Sequence, residues 1–151
     1  TYMSPNMNGF QLGLQGQGTS ASDDFDVTTV MVKYSNGPLT VKAASEDNAG
    51  TDTTTIAAAY TIDGLTVSAV SLDKDAANGD ELWVGAKYTM GANTIAISRN
   101  SADTRANDDT IISLSHAMSK QTSAYLAWED DSAAAAADDK KTVLLGVKHS
   151  F

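Results

Sequence analysis

The chain contains no cysteine, so neither disulfides nor thiolate-ligated metals can brace it. Basic residues are scarce as well: ten Lys and Arg stand against nineteen Asp and Glu, giving a net charge of -9. That balance excludes nucleic acid as a partner, because no dense basic patch exists to displace the counterions of a phosphate backbone. Long hydrophobic runs are missing too. No stretch approaches the roughly 20 apolar residues of a membrane-crossing helix, which excludes a helical membrane protein. No charged-then-apolar leader opens the chain, which is therefore expected to be mature or truncated. Nothing in the composition marks an internal boundary, and residues 1–151 read as a single domain. A mean hydropathy of -0.22 decides nothing between a soluble domain and a transmembrane barrel, since polar lumen residues and lipid-facing residues alternate in the latter.

What the chain does have is period-two alternation, repeated nearly from end to end. In Phe10-Gln11-Leu12-Gly13-Leu14-Gln15 the even positions are large and apolar, while the odd ones are small or polar. The same pattern marks 28–34, 39–43, 54–60, 65–69, 82–88, 95–97, 110–116, 124–128 and 143–151. Ten strands are expected, with the tail of an eleventh at Tyr2. Short turns are expected at Asn36-Gly37-Pro38, Asp63-Gly64, Gly91-Ala92-Asn93 and Ser119-Lys120-Gln121, where Gly, Asn and Pro supply the backbone angles of a tight reversal. Longer loops rich in Asp, Asn, Ser and Ala are expected at 18–26, 46–53, 73–80, 100–109 and 130–140. Short turns at one end and long loops at the other are the asymmetry of an outer-membrane barrel.

Tyr2, Tyr34, Tyr60, Tyr88 and His116 each stand just before a short turn, and Phe151 closes the series. Rings at one depth form an aromatic girdle where hydrocarbon meets headgroup, and Trp128 with Phe25 would belong to the opposite girdle. Charge follows the same geometry. The acids gather at the loops, whereas Lys33, Lys42, Lys87 and Lys148 fall mid-strand on the polar face, with Glu46, Glu81 and Glu129 nearer the loop end; all seven are candidate pore-lining residues.

Most other inward positions are small, among them Gly13, Ala57, Ser68, Gly85, Ser113 and Gly146. A narrow barrel is filled by its interior side chains, so these point to a wide, water-filled channel whose remaining wall lies outside this chain. Unpaired strand edges cannot face lipid. Two other readings compete: a soluble all-β binding or adhesion module, and a complete small outer-membrane barrel with a structural role.

Three segments resemble the general porins of Gram-negative bacteria, most closely the sixteen-stranded trimeric type of purple and related alphaproteobacteria. Tyr2-Met3-Ser4-Pro5 followed by Gly9-Phe10-Gln11-Leu12-Gly13 is similar to a porin strand-turn-strand. Leu114 to Tyr125, containing Ser119-Lys120-Gln121-Thr122, resembles the penultimate turn, with His116 and Met118 at its aromatic and aliphatic positions. Val143 to Phe151 resembles the last strand, whose terminal Phe is read by the outer-membrane assembly machinery; His149 stands where an aromatic is usual. The resemblance implies an all-β, up-and-down transmembrane barrel, of which this chain supplies the C-terminal portion, the sixth strand through the sixteenth. It further implies a homotrimer in a bacterial outer membrane, in contact with lipid and lipopolysaccharide. The family's constriction maps outside the chain, so no constriction residue is assigned.

The function expected is passive diffusion of small hydrophilic solutes and ions, without a cofactor or catalytic chemistry. A site for acid–base catalysis needs its groups within hydrogen-bonding reach, yet His116 and His149 fall on the apolar face, away from the acids. A second expectation concerns Ca²⁺, a hard cation suited to oxygen ligands, at the loop acids Asp23, Asp24 and Asp26, Asp73 and Asp75, or Asp108 and Asp109.

Overall fold

A computed structural model describes residues 1–18, 25–74, 79–103, 107–133 and 140–150. Eleven strands follow in chain order: β1 (Tyr2–Met3), β2 (Phe10–Gln17), β3 (Val27–Asn36), β4 (Leu39–Asn48), β5 (Thr51–Ile62) and β6 (Leu65–Lys74), then β7 (Glu81–Met90), β8 (Asn93–Ala102), β9 (Asn107–Ala117), β10 (Thr122–Ala133) and β11 (Lys140–His149). They make one antiparallel meander in which spatial order equals chain order. Connections this short permit only hairpins between neighbours, since a parallel crossover needs a dozen residues or more. The sheet is open, ending at β1 and β11.

Most strands run further than alternation alone predicts, the longest extensions being toward the acidic end in β4, β5, β6, β8 and β10. Thr29 pairs with Glu46, Thr28 with Asp47 and Val27 with Asn48; on the other side of β4, Glu46 pairs with Thr53 and Asp47 with Asp52. The expected loop 46–53 is therefore ladder, closed by the two-residue turn Ala49-Gly50. Both residues have positive φ, 51° and 88°, which gives the twist that flanking strands require of a two-residue hairpin. Side chains there are polar on both faces, so the periodic signal fades while backbone pairing continues.

Directly opposed residues share a face, and the register gives the sheet one mainly apolar and one mainly polar side. A continuous apolar row runs Tyr60, Val67, Ala86, Ile97, Ile112, Trp128, Val143 across β5 to β11. It starts two residues from the end of β5 and finishes well inside β10 and β11. Successive hairpins are thus staggered, as strands tilted around a barrel axis must be.

Among the described residues no hydrophobic side chain is buried. Leu145 is 82% exposed, and Val143 and Val147 are each 67% exposed. A soluble sandwich would bury such a face against a second sheet; the described residues form a single sheet and no second layer. The soluble-module reading fails on that observation, because water would meet an apolar surface spanning ten strands.

Candidate functional site

The polar face carries the seven ionisable residues singled out in the sequence. Lys33 opposes Lys42, Lys87 opposes Ala96 and Lys148 opposes Ser123. Glu46 opposes Thr29, Glu81 opposes Leu72 and Glu129 opposes Thr142. Following the pairs across the sheet puts all seven on one side. Their heights differ from expectation: the four lysines lie within three residues of the short-turn ends of their strands rather than at mid-strand. Near that other end stand Glu46, Glu81 and Glu129, joined by Asp109, Asp131, Lys74 and Lys140 on the same face. Lys74 Nζ donates to Glu81 Oε1 at 2.6 Å, and Trp83 Nε1 donates to Glu81 Oε2 at 3.4 Å. Charge is accordingly separated along the strand axis.

Between the two charged ends the polar face is low. The row Thr40, Ala59, Ser68, Gly85, Ser98 crosses five strands with nothing larger than threonine. Hydroxyl pairs close the same face beside three successive short turns: Ser35 with Thr40 at 3.3 Å, Thr61 with Thr66 at 3.1 Å and Thr89 with Thr94 at 3.2 Å. Each pair begins at the residue after Tyr34, Tyr60 or Tyr88, so the repeat is longer than the tyrosines alone suggested. Larger rings interrupt this face at Trp83 and at Tyr125. Tyr125 lies across Gly146, where a Cβ would come within 2.5 Å of the ring.

On the apolar face the short-turn girdle occupies one repeated register position. Phe10 opposes Tyr34, Leu39 opposes Tyr60, Leu65 opposes Tyr88, Asn93 opposes His116 and Thr122 opposes His149. Tyr2, opposite Leu14, shares this face. Where a histidine replaces the tyrosine, the opposing residue is polar and bonded to it: His116 Nδ1 lies 2.8 Å from Asn93 Oδ1, and His149 Nδ1 lies 2.9 Å from Thr122 Oγ1. Trp128 stands on the same face toward the other end, and the Phe25 ring covers Gly16 there. Above the apolar band are the ion pairs Arg99–Asp108 at 2.7 Å and Lys141–Asp130 at 3.6 Å.

Of the acids considered for Ca²⁺, Asp23, Asp24 and Asp75 lie outside the described residues, as does Phe151. Asp108 and Asp109 are neighbours on β9 and so point to opposite faces, Asp108 toward Arg99 and Asp109 onto the polar side. They do not converge, and Asp73 shares the apolar face with Asp108. Among the described residues no three His, Cys, Asp or Glu gather as a metal site.

A family model described as Gram-negative porin matches residues 1–150. The chain belongs to the Gram-negative porins. Its fold agrees with solved porins at low identity. An engineered Rh. blastica porin superposes with a TM-score of 0.73 at 20% identity, over 97% of this chain and 53% of that one. The anion-selective porin from Comamonas acidovorans superposes with a TM-score of 0.66 at 22% identity, over 99% of this chain and 58% of that one. This porin chain thus spans somewhat more than half the length of the solved porins it resembles. No curated protein matches it. Family membership places it in a bacterial outer membrane, and both family and fold are those of channel proteins rather than enzymes.

Proposed function

We propose that this chain is one part of the wall of a water-filled channel through which small hydrophilic solutes and ions diffuse passively across the outer membrane. The observation that carries this reading is the segregation of faces: lysines, hydroxyls and small residues dominate one side, interrupted at Val70, Leu72, Trp83, Ile111, Tyr125 and Leu144, while Leu, Val, Ile and Tyr dominate the other, with acids entering that side only toward the long-loop end. The polar face then lines the lumen, with Lys33, Lys42, Lys87, Lys148, Glu46, Glu81 and Glu129 in contact with water, while the apolar face meets lipid between two girdles. Residues 1–151 act as one domain of a larger barrel, assembled as a homotrimer, bordered by lipopolysaccharide on its outer side and delivered through recognition of Phe151 by the assembly machinery.

Four lysines at the short-turn end support a preference for anions at that mouth; the similar porin from Comamonas acidovorans is anion-selective. Planar-bilayer recording of the native protein tests the reading. Large, steadily open conductances are expected, and silent bilayers would defeat it.

A further inference from the structure

Asn100 stands apart from the rest of the polar face. It is only 3% exposed, and its side-chain oxygen Oδ1 has no hydrogen-bond partner. Asp109 lies directly opposite Asn100, and Asp131 directly opposite Asp109. Asp131 Oδ1 is also buried without a partner. Three oxygen-bearing side chains thus stand in a row across β8, β9 and β10, near the long-loop end of the polar face.

Cross-strand neighbours hold their Cβ atoms about 5 Å apart, so one small ion can bridge adjacent members of such a row. A buried acceptor left unmatched is costly, and both Asn100 Oδ1 and Asp131 Oδ1 are such acceptors. A hard cation removes that cost, because carboxylate and amide oxygens are its preferred ligands. We propose that Asn100, Asp109 and Asp131 form a divalent-cation site for Ca²⁺ in the channel wall, with Asn100 Oδ1 and the two carboxylates as protein ligands and water completing the shell. This differs from the loop acids considered above, since it joins Asp109 to residues on neighbouring strands rather than to Asp108. It rests on the reading that this face meets water. Lys140, opposite Asp131 on its other side, supplies a competing positive charge.

Trp83 lies directly opposite Asn100, close enough to sensitise a bound lanthanide. The native protein, purified in detergent, is titrated with Tb³⁺ under tryptophan excitation. Saturable emission displaced by Ca²⁺ is expected. Asp131→Asn should weaken binding about tenfold, whereas Asn100→Asp, which adds a ligand charge, and Lys140→Gln, which removes the competitor, should strengthen it. Absence of emission, or emission indifferent to all three substitutions, overturns the site and leaves Asn100 and Asp131 satisfied by water alone. Each protein is also recorded in bilayers. Proteins that conduct without binding Tb³⁺ refute the cation site alone, while proteins that never conduct refute the channel.

Discussion

Lys33 and Lys42 face each other directly across β3 and β4, on the side of the sheet that carries the hydroxyls and small residues. Two like charges in that relation destabilise a sheet, and bulk water is what makes the arrangement tolerable. At 4 Å in water a unit charge acts with about 1 kcal/mol, roughly a fivefold change in local ion concentration. The double variant Lys33→Glu/Lys42→Glu should therefore shift permeability severalfold toward cations, read as the reversal potential across a KCl gradient. The shift should shrink at 1 M salt, where the screening length falls to about 3 Å. An unchanged reversal potential at low salt would show that these lysines do not face the permeation path.

Accessibility offers a check on the faces that is independent of conductance. Cysteines introduced at Lys33, Lys42, Lys87 and Lys148 should react with water-soluble thiol reagents, whereas those at Val32, Val41, Ala86 and Val147 should remain shielded by lipid. Mass spectrometry after labelling in membranes gives the result, and a reversed pattern would sink the assignment.

Leu126 and Ala127 are adjacent near the middle of β10 and point to opposite sides. Arginine at a lipid-facing midplane position costs about 2–4 kcal/mol. Leu126→Arg should lose that much in denaturant-unfolding experiments on the protein in vesicles, and Ala127→Arg much less. Equal losses would contradict the registry of β10.

Tyr125 and Gly146 form a second pair open to test. Adding a methyl at Gly146 pushes against the Tyr125 ring, and overpacking of this kind costs roughly 1–3 kcal/mol. Because the obstacle is the outer end of one side chain, the cost of Gly146→Ala should fall sharply in a Tyr125→Ala background, a coupling that a double-mutant cycle measures directly.

The apolar halves of the strands were legible from sequence because a hydrocarbon-facing side leaves an alternation that polar neighbours cannot mask. Tyr34, Tyr60 and Tyr88 announced one edge of that band. The strand ends near Glu46, Asp109 and Asp131 were not legible, since polar residues occupy both faces there and period two disappears although pairing persists. Asn100 could have been placed by carrying the phase of Ile95 and Ile97 onward, which puts Arg99 on the apolar side and Asn100 opposite. Its neighbours Trp83 and Asp109 could not, because only register sets them opposite it. The Ala49-Gly50 turn was masked for the same reason as the acids that flank it.

Each of the eleven described strands pairs only with its neighbours in the chain, and the longest connection between them is the segment 18–26. Loop closure therefore adds little entropy at each step, because its cost grows only slowly with length. Sheets built from distant segments fold slowly, whereas pairings close in sequence are reached quickly. Each completed hairpin leaves one edge on which the next can form. The order of these eleven strands is thus also an order in which they can be added, with no pair among them waiting for a remote part of the chain.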